Sequence, residues 1–404
     1  DQRAAARHHR DYGGPAGKQR SMTCVIRFDS YRSDYGQRLR EERRAPVWDQ
    51  AHLVSKLRGA EGRDVSAATF TAQVRATNAH IIALDTELGA RDMLDAVIQA
   101  TAHARRIAYT RFPSNRDLLS AVAEAHQIAG WIAFDAERQD VSRQMTLEAL
   151  LTARQAGDRS MEAFALGQLA MQDVHVGQAA EAASISDTAL TTGRVKGGVR
   201  TMFVMRAARA AAGMREHARA RNLIGQARSR YLDGPHPDDP AWVWWLSEGE
   251  ISWHHAMIEA DVGRWEKACE YFAAAADFRL SRYNRSTAVC AASLLWALSQ
   301  AGDWSEAETV LRRDVLPHQG EAVSIRADRM LASAARLLDA APRPSLRDAA
   351  REIAAQAWHL GRVDSGRHPG ASQQVLSVRC DGDQPRRGTS RLTSRTQIGR
   401  TGLL

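Results

Sequence analysis

The chain is 404 residues long, with 71 alanines, only 11 prolines and a formal net charge of +8. That length leaves room for two or three domains and an ample core, and alanine at this level points to close-packed helices rather than sheet. The charge belongs to the ends, a net +5 in residues 1–46 and +5 in 361–404 against −2 in 47–360, which argues against a basic nucleic-acid groove in the body.

Residues 1–32 show no sustained hydrophobic period and are expected to be disordered. Next, Tyr35–Arg44 reads as a helix and Trp48–Arg58 as a second, with a third in Ala68–Ala76. Asp64 can cap a helix running to about Glu87, its buried stripe being Phe70, Val74, Ile81, Leu84 and Leu88. Gly89 ends it, and Met93, Leu94, Val97, Ile98 and Ile107 mark the following helix. Ser114 opens another, carrying Leu118, Leu119, Val122, Ile128 and Ile132.

From here the helices pair. In the second helix of each pair a small residue is followed four positions later by a larger one, and three later by alanine. Ser142, Thr146 and Ala149 form one copy, and Ala182, Ser186 and Ala189 another. Ala268, Phe272 and Ala275 follow, Ala307 and Leu311 begin a last copy, and a weaker one holds Ala220, Ile224 and Ala227. Turn residues Glu137, Gly177, Gly213, Gly263 and Gly302 stand 40, 36, 50 and 39 positions apart. Self-similarity at this period means stacked helical hairpins, with small residues where backbones approach. Trp242, Trp244 and Trp245 fall in the enlarged interval and are expected to fill it by packing. Residues 361–404, rich in Gly, Ser, Arg and Gln, are expected to be a disordered tail.

Catalytic and metal signatures are few. Cys24, Cys269, Cys290 and Cys380 form no CxxC pair, the usage of reduced intracellular thiols, and no run of 18 apolar residues marks a membrane span. The glycine-rich stretch 13–21 lacks the first glycine of a phosphate loop, since that place is Tyr12. The pairs His8/His9 and His254/His255 point about 100° apart on a helix and cannot share a metal. No HExxH, zinc-spaced cluster or nucleophile elbow occurs. These readings give no enzyme, no metal and no cofactor, and a cytoplasmic location.

The small–large–alanine rule after a glycine turn is the tetratricopeptide repeat pattern, and residues 130–158 resemble one whole unit. More narrowly, residues 64–340 resemble the repeat region of actinobacterial helix-turn-helix transcriptional regulators. The shared stretches are Gly130, Trp131, Ala133, Phe134 and Asp135, the QAGD turn at 155–158, and Asp239, Pro240 and Trp242. The resemblance implies an all-α, TPR-like right-handed α-solenoid of helical hairpins between disordered basic termini. The divisions are 1–32, a candidate degenerate helix-turn-helix or linker at 33–76, the repeat domain at 77–360, and the tail.

In such repeats the first helix of each pair lines the concave face at its second, fifth, ninth, twelfth and thirteenth positions. The resemblance therefore implies a partner groove of Glu124, Gln127, Trp131, Phe134, Asp135, Phe164, Met171 and His175 from the first two units. Later units add Arg200, Phe203, Glu250, Trp253, Met257 and Trp296. In the third N-terminal helix, Thr69, Thr71, Gln73 and Arg75 are the residues that would face DNA. The turn before it is longer than the family's, and Pro46 interrupts the entry to the second helix. The implied function is binding of a protein or peptide partner in transcriptional regulation, ligand changing superhelix curvature. DNA contact would be confined to the N-terminal segment and homo-oligomers are compatible; a scaffold without any DNA role is the alternative.

Overall fold

The computed structural model describes residues 65–88, 90, 93–277, 285–318 and 324–365, and every regular element among them is helical. Residues 1–32, most of 33–76 and nearly all of 361–404 lie outside the described residues. The chain divides after Trp358, and of the second unit only the end of the last helix is described.

The first unit is built of hairpins. In chain order, α1 (Ala67–Leu88) and α2 (Leu94–Arg111) each pack against α3 (Arg116–Asp135), which pairs with α4 (Gln139–Ala156), and α5 (Arg159–His175) pairs with α6 (Ala179–Thr191). Then come α7 (Gly197–Gly213) with α8 (His217–Leu232), and α9 (Glu248–Ala260) with α10 (Trp265–Asp277). α11 (Arg285–Ala301) pairs with α12 (Trp304–Val310), which runs on through a π turn and a 3-10 turn to His318. α13 (Ile325–Leu338) and α14 (Pro344–Ser365) close the series.

Side-chain caps start many of these helices. Asn115, Asp158, Ser247, Asp303 and Ser324 each accept a bond from the backbone N–H three residues on. At α3 the cap is thus Asn115 rather than Ser114, and at α1 the hydroxyl of Ser66 accepts from Thr69 N–H. Asp64 lies outside the described residues.

Five hairpins close by one device. The residue five before each small residue takes a left-handed backbone: Glu137 (φ 57°), Gly177 (82°), Arg215 (63°), Gly263 (72°) and Gly302 (73°). The next N–H then bonds back to a carbonyl in the last turn, as in Arg138 to Ala133, Gln178 to Asp173, Glu216 to Ala211, Arg264 to Glu259 and Asp303 to Leu298. The third turn is therefore Arg215, not Gly213, so the intervals become 40, 38, 48 and 39 residues. Gly213 is needed for another reason: a Cβ there would stand 2.8 Å from that of Ala179.

The small positions Ser142, Ala182, Ala220, Ala268 and Ala307 have no exposed surface. Where α3 crosses α4, the Ser142 hydroxyl donates to the Gly130 carbonyl at 2.8 Å, and a Cβ at Gly130 would meet Thr146 Oγ1 at 2.5 Å. Between α8 and α9 the extra residues form the 3-10 helix Ala241–Trp245. Asp239 anchors that connection by accepting Gly198 N–H at the start of α7 (2.8 Å), an anion at a helix N-terminus. Trp242 stacks on Phe164 and donates to Ser160, and Trp245 packs in the core around Phe203, as the enlarged interval requires.

Helix α1 packs as the first member of this stack. Phe70, Val74 and Ile81 are buried, and Arg75 pairs with Asp117 of α3. Thr71 is buried too, donating to the Ala67 carbonyl, so it cannot face DNA. Thr69 is exposed and bonded to Ser66, while Gln73 is half-buried. The segment 68–76 is thus the opening of a 22-residue helix rather than a separate short one.

The hairpin geometry sets two opposed outcomes. Arg215→Gly relieves a left-handed non-glycine residue and is expected to stabilise the chain by about 0.5–1 kcal/mol. Gly130→Ala forces α3 off α4 and is expected to cost about 1–3 kcal/mol. Denaturant midpoints measure both; equal midpoints for wild type and Gly130→Ala would contradict the close approach.

Candidate functional site

The interior surface gathers its chemistry from helices distant in sequence. Asp85 on α1 sits within the apolar stripe of Ile81 and Leu84 and is buried. Arg285, the first residue of α11, reaches its Oδ2 at 3.1 Å, and Trp131 Nε1 lies 3.4 Å from the same oxygen. Burial raises the Asp85 carboxyl above its ordinary range, against the pull of Arg285. At the end of α3, Asp135 has no exposed surface. Its Oδ1 accepts from Ser324 Oγ at 3.2 Å and Arg326 Nε at 2.9 Å, with Arg285 at 3.9 Å. Glu137, in the turn that follows, pairs with Arg329 at 2.6 Å and contacts His175 Nε2 at 3.3 Å. These partners hold the Glu137 carboxyl below its ordinary range despite the opposing effect of burial.

Aromatic rings cover this ionic cluster. The guanidinium of Arg285 lies 4.6 Å from the centre of the Trp131 ring, and that of Arg326 lies 5.5 Å from it and 5.1 Å from Phe134. Phe134 stacks beside Trp131 and meets His175 edge-on at 4.9 Å.

A second group lies on α7 and α9. Arg206 is buried, its NH1 is 3.2 Å from His254 Nε2, and its guanidinium lies 5.5 Å from the Trp245 ring. Burial lowers its pKa to about 10, so it stays charged at neutral pH. The same His254 nitrogen is 3.2 Å from Glu250 Oε1. Burial pushes the His254 ring down to about 4, helped by Arg206 and Arg209 and resisted by Glu250. A neutral ring serves one of these neighbours at a time, accepting from Arg206 or donating to Glu250. Arg285 and Arg326 also act on Glu250 electrostatically, which couples the two groups.

Of the residues expected in the groove, Trp131, Phe134, Asp135 and His175 come together, with Glu250 and Trp253 in the neighbouring group beside His254. Met171 lies half-buried on the same helix as His175, and Gln127 is buried. Others stand apart. Glu124 accepts from Asn78 and is raised above its ordinary range by burial, and Phe164 is covered by Trp242. Met257 and Trp296 pack against the C-terminal core, Trp296 edge-on to Trp265. The shift of the third turn from Gly213 to Arg215 moves the register by two, so Arg200 and Phe203 are not at the implied positions. Arg200 donates to the Leu190 carbonyl, and Phe203 is wholly enclosed in the core.

The phasing missed Asp85, Arg206, Arg285, Arg326 and Arg329. Asp85 carried a legible signal, a charge inside an apolar stripe. α13 carried none, because the small–large–alanine pattern is traced only as far as Ala307 and Leu311. Among the described residues no three His, Cys, Asp or Glu side chains are placed to hold a metal, and no helix is long and apolar enough to cross a membrane.

No protein-family model matches the chain, and no curated protein matches it. Among solved structures it is similar to a Rap protein complexed with competence and sporulation factor, at 14% identity and a TM-score of 0.51, covering 84% of this chain and 94% of that one. BtubC from P. vanneervenii aligns at 16% identity over 75% of this chain and 98% of its own, with a TM-score of 0.38. The likeness to the Rap protein is one of fold: the chain is a TPR-like helical solenoid.

Because His254 and His255 are both pushed down to about 4 from about 6.5, they favour the folded state when neutral. Their contribution is complete above pH 6.5 and is lost as the pH falls toward 4, where the unfolded chain takes up the protons. Urea midpoints should decline across that window, and His254→Gln should flatten the decline. A pH-independent midpoint would contradict the burial of these rings.

Proposed function

We propose that the protein is a regulatory peptide-binding solenoid whose ligand lies along the interior face of α3, α5 and α9. One observation carries this reading: Trp131, Phe134, His175, Glu250 and Trp253 share that interior with buried charged groups. Aromatic floors with a few fixed polar groups suit an extended peptide or a short helix. The Rap protein, which shares the fold, is complexed with competence and sporulation factor, and this supports a protein or peptide ligand for the present chain.

The output we propose is transcriptional, on the strength of the regulator-like stretches at 130–135, 155–158 and 239–242. DNA contact would then fall to residues before α1, since Thr71 is buried and Arg75 is engaged with Asp117. A scaffold that holds a protein partner without DNA is the second reading, favoured by the near-neutral body.

Selection of a random peptide library on the full chain tests the groove. Met171→Ala with His175→Ala changes two half-buried side chains of α5 and should weaken selected peptides at least tenfold while helicity is retained. Equal affinity would place the ligand elsewhere. A mobility shift with genomic fragments at low salt, steeply lost as salt rises, is expected for the transcriptional output. Absence of any shift would leave the scaffold.

A further inference from the structure

The proposed site is already occupied by the chain itself. Arg285, Arg326 and Arg329, from the two hairpins near the C-terminal end of the stack, cover Trp131 and Phe134 and pair with Asp85, Asp135 and Glu137. The surface they cover is built for guanidinium groups: flat rings for stacking, with carboxylates at their edges.

The occupation is imperfect in a specific way. Both contacts to Asp85 fall on Oδ2, and all those to Asp135 fall on Oδ1. Asp85 Oδ1 and Asp135 Oδ2 are buried and have no hydrogen-bond partner among the described residues, and neither has Arg285 Nε. Arginine binds a carboxylate best through two parallel bonds to both oxygens, and neither Asp85 nor Asp135 receives that fork here. Two buried acceptor oxygens are thus left for a donor that none of the described residues supplies, at the desolvation cost of an unmade bond.

We propose that these three arginines are a built-in stand-in for the ligand, and that the ligand is a peptide segment presenting arginine. By engaging both oxygens of Asp85 and Asp135 it displaces α11 and α13 from α1 and α3 and opens the superhelix. This rests on the interior face being the binding surface, and it adds the chemistry of the ligand and a control on access. Closure lowers apparent affinity by the fraction of chains that are open, so weakening the internal contacts tightens binding. Solenoids suit such a device, since their curvature is the sum of small rotations between neighbouring repeats.

Arg329→Glu is the primary variant, because the side chain is 66% exposed and its loss leaves the hairpin core intact. Small-angle scattering should show a larger radius of gyration for Arg329→Glu. The charge swap Glu137→Arg with Arg329→Glu should return it to the wild-type value, which a merely misfolded variant would not do. Calorimetry with arginyl-arginine amide as the probe should give affinity about tenfold tighter for Arg329→Glu than for wild type. Lysyl-lysine amide should bind at least tenfold more weakly than the arginine probe, since it cannot stack or fork. An unchanged radius overturns the closure. An opened chain that does not bind the arginine probe, or binds the lysine probe equally, overturns the assigned ligand, while the groove itself stands or falls on the Met171/His175 pair.

Discussion

The bond from Arg326 to Asp135 joins residues 191 positions apart, and the placement of the C-terminal hairpins depends on it. Asp135 has no exposed surface, and a carboxylate so placed is tolerated only when paired and hydrogen-bonded. Ser324, the N-cap of α13, supplies one bond and Arg326 in its first turn another, so the start of α13 serves both its own helix and the distant carboxylate. Ile325 between them packs against the core around Ile81 and Ile132. The contact between α13 and the end of α3 therefore combines apolar packing with ion pairs whose geometry is demanding. Ion pairs of this kind add little net stability, because desolvation of both charges offsets their attraction.

The hairpins themselves were legible because they rest on local rules. A small residue at Ser142, Ala182, Ala268 or Ala307 reports backbone approach, and the residue five before it reports the left-handed turn. The exception is the third hairpin, where Gly213 lies two residues before the left-handed turn. The physical marker is the offset from the buried small residue, which points to Arg215. Glycine at 213 answers instead to the proximity of Ala179. That slip of two residues accounts for the misplacement of Arg200 and Phe203, while the units with correct turns brought Trp131, Phe134, Asp135 and His175 together.

Contacts made only by closure left no trace in any local pattern. Arg326 and Arg329 look in the sequence like ordinary charges on an amphipathic helix, and their partners Asp135 and Glu137 look like the end of an unrelated one. Asp85 is legible as a carboxylate on an apolar stripe and Asp135 through the repeat phasing, but neither pattern names the arginine that meets it. The fold is shared with a Rap protein at 14% identity. Function is accordingly argued from the aromatic and ionic groups of the interior.

Closure is tested most directly by the distance between the α3–α4 turn and α13 in solution. Spin labels at the exposed positions 138 and 336, in a cysteine-free background, report it by pulsed electron resonance. With Arg329 in contact with Glu137 and position 336 two helical turns further on, the account predicts a narrow distribution centred at about 20–30 Å. A broad distribution centred beyond about 40 Å, the outcome for hairpins held only by their sequence neighbours, would contradict it.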